Sequence, residues 1–229
     1  MDNVRKLHNN EKRELIQRVV KPGHRVLDVG CGYGGDLHKW TSVYANVDMC
    51  DPDENAVKEA KKRIAEMKLK IRVLIGDIRT CPRILYDVIC YNFSLQYIFD
   101  NERLFFESIA NIKKRLKLNG KLIGCIPDHE KILMIKNMNF HDEYGNYFIR
   151  HDNTGFGRFG EKLYVYLSDT PYYASGAKPE PIAYRDILVT HLENLGMQLD
   201  TWEPLVTSSV ECPQISALYS KFIFTHIKQ

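Results

Sequence analysis

A doubly wound α/β fold is predicted, on three observations. An apolar segment, Arg25-Val-Leu-Asp-Val-Gly30, runs directly into a glycine-rich turn. Strand-like and helix-like segments then alternate, with five strands reached by Pro127. Several of those strand segments, above all Tyr86 to Phe93, are continuously apolar, as strands covered on both faces of a parallel sheet must be.

The elements follow in order. Residues 4–20 read as a basic helix. Arg25 to Gly30 is the first strand, and Asp36 to about Val43 the helix after it. Ala45 to Asp51 is the second strand. Asp53 to Met67 is an exposed helix with Asp53 placed as its N-cap. Ile71 to Asp77 and Tyr86 to Phe93 are the third and fourth strands, and Arg103 to Leu116 is an amphipathic helix. Asn119-Gly120 predicts a turn, with Lys121 to Ile126 as the fifth strand, closed by Pro127. Residues 139–170 are rich in Gly, Asn, Tyr and Phe and read as a β-rich insertion. Ile182 to Leu195 returns to helix and ends at Gly196; Gln198 to Leu205 and Tyr219 to Ile227 are the last strands.

A chain of 229 residues suits one domain with a sizeable core. With 44% hydrophobic and 27% charged residues it is not a disordered protein. No apolar run approaches the ~20 residues that cross a bilayer, and Met1 to Lys6 has no signal-peptide core. The cysteines (Cys31, Cys50, Cys81, Cys90, Cys125, Cys212) form no C-x-x-C pair, so buried free thiols in a cytosol-like compartment are expected. The histidines show no metal-ligand spacing. Net charge is only +3, but residues 1–25 hold seven Lys/Arg against three Asp/Glu, and residues 58–72 seven against two. Such clusters either track phosphates or form solvated helix faces.

The segment Asp28-Val-Gly-Cys-Gly-Tyr-Gly-Gly-Asp36 joins strand to helix. Glycines there let the backbone turn sharply and approach a ligand, while the helix start offers free N–H groups. Gly30, Gly32 and Gly35 also satisfy the dinucleotide pattern G-x-G-x-x-G, and Asp51 suits ribose hydroxyls in either case. Asp28 favours the cationic ammonium and sulfonium of S-adenosylmethionine over a pyrophosphate, which it would repel. Asp77 is placed to accept from an adenine amino group, although a strand-end turn would also explain it.

Extended to Val26-Leu-Asp-Val-Gly-Cys-Gly-Tyr-Gly-Gly-Asp-Leu-His-Lys-Trp40, the turn resembles the cofactor motif of mRNA cap guanine-N7 methyltransferases. Asn9-Asn-Glu-Lys-Arg-Glu-Leu-Ile16, Asn92-Phe-Ser-Leu-Gln-Tyr-Ile-Phe99, Gly124-Cys-Ile-Pro-Asp128 and Phe159-Gly-Glu-Lys-Leu-Tyr-Val-Tyr-Leu167 with Pro179-Glu180 are similar to further motifs of that family, in order. Within the family the likeness is greatest to the C-terminal methyltransferase domain of asfarvirus-type viral capping enzymes.

The resemblance implies a class I, Rossmann-like methyltransferase: a mostly parallel seven-stranded sheet with an antiparallel last strand and a β-rich cap-binding insertion. Within one domain, residues 1–20 would be an N-terminal helix, 21–138 the cofactor core, 139–180 the insertion and 181–229 the last helix and strands. S-adenosylmethionine would be the cofactor and 5'-capped RNA the partner. Triphosphatase and guanylyltransferase domains would lie upstream in the same polypeptide, and the location would be host cytoplasm or virion. Lys12 or Arg13 would reach the cofactor carboxylate. Asp28, Gly30, Gly32, Gly34, Asp36 and Asn92 would serve the cofactor, with Asp51 on its ribose and Asp77 on its adenine. Guanine would lie against Phe93 and Tyr97, beside Gln96, with Glu180 on its Watson–Crick edge. Lys62, Arg63 and Tyr33 would meet the cap phosphates. The family commonly has Lys at Tyr33 and His at Gln96. Sheet-edge packing for Phe93 and Tyr97, and a solvated loop for Glu180, remain open.

Guanine N7 carries a lone pair and no proton. In-line methyl transfer to it needs orientation rather than a general base. A non-catalytic RNA-binding module, or a methyltransferase for another RNA position, are the rival readings.

Overall fold

The structure is a computed structural model, which describes residues 4–135, 139–142, 146–151, 158–206 and 214–228. Cys212, the end of the expected cofactor core (136–138) and parts of the expected insertion (143–145, 152–157) lie outside the described residues.

Seven strands form the main sheet. They are β1 (Arg25–Val29), β2 (Asn46–Asp51), β3 (Arg72–Ile75), β4 (Tyr86–Asn92), β5 (Leu116–Pro127), β10 (Met197–Pro204) and β11 (Tyr219–His226). Their order is β10-β11-β5-β4-β1-β2-β3. The β1, β2, β3, β4 and β5 pairings are parallel, whereas β11 runs antiparallel to both β5 and β10. Strand order reverses between β1 and β4, which opens a crevice at their C-terminal ends. The second sheet is antiparallel, in the order β6 (Asn139–His141), β7 (Tyr147–His151), β8 (Lys162–Leu167), β9 (Lys178–Pro181).

Alternation along each strand builds two cores. Val26, Met49, Val88, Cys90 and Ile123 face α1 (Val4–Val19), α2 (Leu37–Ser42) and α3 (Glu54–Glu66). Leu27, Cys50, Ile89, Tyr91 and Leu122 face α4 (Glu102–Arg115) and α6 (Arg185–Asn194). Ile149, Leu163 and Val165 of the second sheet join the α1 side, so the insertion is anchored to the same core as the first helix. The short α5 (His129–Leu133) follows β5. No described helix is long and apolar enough to cross a membrane.

Three element boundaries are corrected. β3 stops at Ile75 because Gly76, at φ 127°, turns the chain against Thr80. β5 begins at Leu116 rather than Lys121; Asn119 (φ 62°) kinks the strand and shifts its register on β4 instead of ending it. The last helix starts at Arg185, since Ile182 N–H still donates to Glu161 in the insertion.

At the centre of the sheet, a Cβ on Gly124 would lie 2.0 Å from the Tyr91 carbonyl oxygen and 2.7 Å from Phe222 Cζ. Gly124→Ala is expected to cost about 3 kcal/mol or more by overpacking. That corresponds to a melting temperature lower by roughly 6–12 °C. An unchanged melting curve would contradict this packing.

Candidate cofactor and substrate site

The glycine turn occupies the mouth of the crevice. Gly30, Gly32 and Gly34 have φ of 76°, 51° and 75°. A side chain at Gly30 would collide with Ser94, 2.4 Å away, whose hydroxyl donates to the Val29 carbonyl at 2.6 Å. Among the described residues, a Cβ on Gly32 or Gly35 would meet nothing within 4 Å, so the turn presents bare backbone there. Asp51 ends β2 and is held by two backbone donors, Gly32 N–H at 2.7 Å and Asp53 N–H at 2.9 Å. Burial pushes its carboxyl up in pKa, against the pull of those two donors.

Beside the turn lies a buried charge network. Asp36 Oδ1 is 2.7 Å from Lys12 Nζ and 2.6 Å from Lys39 Nζ, and Asn92 donates to Oδ2 at 2.9 Å. Lys39 also donates to Asn9 of α1 at 2.9 Å. Burial alone would raise the Asp36 pKa, but the two ammonium groups outweigh it and hold the carboxyl well below its usual range. Lys12 is raised, because Asp36 outweighs its own burial. Asp28 accepts from Trp40 Nε1 at 2.8 Å and is 2% exposed. Burial, then the neighbouring Asp36 charge, push it up to about 7. A direct contact between Asp28 and a ligand would first have to displace this arrangement.

Of the two α1 candidates, only Lys12 joins the network; Arg13 is exposed and bonds Asn10. They are adjacent on a helix, so they point about 100° apart. Asp77 is engaged by Arg79, through the backbone N–H and the Nε–Nη2 edge of the guanidinium, while Arg79 Nη1 reaches Glu107 at 2.9 Å. Burial raises the Asp77 pKa, yet Arg79 outweighs it and the net shift is down. An adenine amino group would share Asp77 with that arginine.

Phe93, with φ 59°, turns the chain out of β4 and into a 3-10 turn, Leu95–Asp100. Its ring stacks on His8 at 5.1 Å and meets Tyr219 edge-on at 5.5 Å. One face of Phe93 is therefore taken, and a base could use only the other face or the rim. His8 is lowered to about 3 by burial and then by Lys12, so it stays neutral. Glu180, on β9, is 4% exposed. It accepts from Tyr173 Oη at 2.5 Å and from Gln96 Nε2 at 2.8 Å. Tyr97 Oη lies 2.7 Å from Tyr172 Oη.

The expected phosphate contacts are only partly gathered. Ala60 of α3 lies beside Gly34, and Arg63, one turn on, shares that side while pairing Glu59 at 2.9 Å. Lys62 is turned off it, 67% exposed and 4.0 Å from Glu66. Tyr33 is 37% exposed on the turn itself.

The residues fit S-adenosylmethionine. Asn92 Oδ1 is buried beside Asp36 without a partner among the described residues, as an acceptor for an ammonium group would be. Lys12 and Asp36 form a cation–anion pair that a zwitterionic amino-acid moiety could match. Sequence reasoning missed His8, Lys39, Ser94, Tyr172, Tyr173 and Tyr219. Only Lys39 had a local signal, its i+3 spacing from Asp36.

Fold and glycine cradle together define the class: an S-adenosylmethionine-dependent methyltransferase of Rossmann-like architecture. Solved structures with this fold include an S-adenosylmethionine-dependent methyltransferase from Clostridium acetobutylicum. Its TM-score is 0.64 at 14% identity, covering 98% of this chain and 92% of that one. The S-adenosylmethionine-bound amino pentose methyltransferase CalS10 from Micromonospora echinaspora has a TM-score of 0.64 at 17% identity, covering 96% and 91%. The sequence is more specific. Residues 2–205 match the mRNA (guanine-N(7))-methyltransferase domain, and the chain belongs to that family. It is 31% identical over 147 residues to the mRNA cap guanine-N(7) methyltransferase of Saccharomyces cerevisiae, covering 56% of this chain and 33% of that protein. The Schizosaccharomyces pombe protein of the same name is 31% identical over 148 residues, covering 57% and 40%. The chain thus spans a third to two fifths of the length of these relatives.

Proposed function

We propose that this domain transfers the methyl group of S-adenosylmethionine to N7 of the guanine cap of mRNA. The observation that carries the reading is Glu180, an acceptor-only carboxylate buried near Phe93 and Tyr97 at the crevice. An ionised carboxylate has about four acceptor sites. Tyr173 and Gln96 use two, which leaves two for the guanine N1–H and N2–H donors.

When bound, the cofactor supplies a sulfonium-activated methyl group. Lys12 would hold its carboxylate, Asp36 and Asn92 its ammonium, Asp51 its ribose and Asp77 its adenine. Phe93 and Tyr97 would fix the plane of the base, and Glu180 its rotation within that plane. Together they bring N7 in line with the methyl group, an orientation effect that can contribute ~7–11 kcal/mol. Positive charge moves onto the purine as the reaction proceeds, and Glu180 favours it there. Arg63 would meet the cap phosphates. The asfarvirus-type resemblance supports a setting in a larger capping polypeptide acting in the cytoplasm.

Methyl transfer to a panel of GpppA-, GpppG- and uncapped 5'-triphosphate RNAs tests the proposal, with mass spectrometry locating the methyl group. It is expected on the cap guanine of the first two only. Cofactor binding without methylation of any capped RNA, or methylation of a ribose, would overturn it.

A further inference from the structure

The loop between β8 and β9 carries two consecutive tyrosines whose hydroxyls go to different places. Pro171 opens a short 3-10 turn, Pro171–Tyr173, closed by hydrogen bonds from Tyr173 N–H to Thr170 and from Gly176 N–H to Tyr173. Within it the two rings stand nearly perpendicular, 81° apart with centroids at 5.0 Å. Tyr173 is 7% exposed and donates inward to Glu180. Tyr172 is 44% exposed, and its hydroxyl meets that of Tyr97 at 2.7 Å. Tyr97 belongs to the main sheet's Leu95–Asp100 turn, so this pair joins the insertion to the cofactor core. The charges of Glu180, Asp51 and Asp53 all reach the Tyr172 phenol, and those of Glu180 and Asp51 reach Tyr97. The phenol pair therefore lies within range of both the carboxylate that would read guanine and the one that would hold ribose. Burial raises both phenols, so they stay neutral and the contact remains an ordinary hydrogen bond.

We propose that Tyr172 is a positioning residue that, through its hydroxyl bond to Tyr97, spans the crevice over the bound cap guanine and holds that base in line for transfer. The inference rests on the cap-methylation reading. A neutral surface hydrogen bond is weak enough to open for an entering base and re-form over it. Because Tyr173 is the next residue, the same short turn presents one phenol to Tyr97 and the other to Glu180. Tyr172 does not touch the reacting atoms; it acts by fixing the Tyr97 ring.

The test is a double-mutant cycle of Tyr97→Phe and Tyr172→Phe, which removes either hydroxyl and keeps both rings. Each single variant is expected to lower kcat on GpppA-RNA by about 3–10-fold, the range of one neutral hydrogen bond. The double variant should be no worse than either single one. S-adenosylmethionine affinity and the melting temperature should match wild type, which a merely structural role would not allow alongside a fall in kcat. Tyr172→Ala should lose more than Tyr172→Phe. Wild-type kcat in Tyr172→Phe, or additive losses in the double variant, would overturn the proposal. If wild-type protein fails to methylate capped RNA at all, the functional reading itself falls, and the two failures are distinguishable.

Discussion

Replacing Glu180 by alanine is expected to lower kcat/KM for capped RNA by about 10²–10⁴-fold, the scale for removing one partner of a buried hydrogen-bonded charge. S-adenosylmethionine binding should survive, since Glu180 sits on β9, and its hydrogen bonds go to Tyr173 and Gln96, not to the glycine turn. The substitution also leaves the Tyr173 hydroxyl and Gln96 amide without their acceptor, so some stability is lost as well. Glu180→Gln is the better probe, because it keeps the volume but replaces one acceptor by a donor. The pH dependence carries a sign. Burial raises the Glu180 pKa, with Tyr173 and Gln96 pulling the other way. Only the ionised form can accept from both N1–H and N2–H, so kcat/KM should fall as pH drops through that raised pKa. The acidic limb should be absent in Glu180→Gln. Full activity in Glu180→Ala, measured beside calorimetric cofactor binding, would remove Glu180 from the site.

Asp36→Ala is expected to have the second large effect, on folding as much as on cofactor binding. Lys12 and Lys39 have side-chain exposures of 14% and 4%, and both point at the same carboxylate oxygen. Removing that anion strands two buried cations, and breaking a buried ion pair from one side costs about 3–5 kcal/mol. For a chain of this size, that lowers the melting temperature by roughly 6–20 °C. Titration with S-adenosylmethionine should then show affinity reduced by at least about tenfold, since the ammonium site and the alignment of Lys12 are lost together. Adding Lys39→Met to Asp36→Ala should restore part of the stability. A wild-type melting curve for Asp36→Ala would show that the charge network contributes little to stability.

Much of the fold is legible in the sequence because its signals are local. The glycine spacing, the apolar run of β4 and the N-cap Asp53, whose side chain accepts from Asn55 and Ala56 N–H, each need only a few neighbours. The boundaries that moved were set by long-range contacts: Asn119 keeps β5 going only because Leu116 already pairs with Tyr86 on β4. The site divides the same way. Asp51, Asp36 and Gly30 sit at strand ends and turns that the pattern marks. Lys12 and Arg13 could not be separated, since the choice depends on which helix face meets Asp36. His8 meets Tyr219 from the far end of the chain, and Tyr172 meets Tyr97 from the insertion; nothing in their own surroundings distinguishes them from packing aromatics.

The two partners of Glu180, Tyr173 and Gln96, are both neutral side chains. When Glu180 is ionised, neither of these two hydrogen-bond partners offsets its charge. On the proposed reaction, guanine enters the pocket uncharged and leaves as an N7-methylated cation. Electrostatics therefore favour the product over the substrate, and the enzyme works against its own preference at every turnover. Departure of the methylated cap should pace the cycle, and N7-alkylated guanosine nucleotides should inhibit more strongly than their uncharged counterparts.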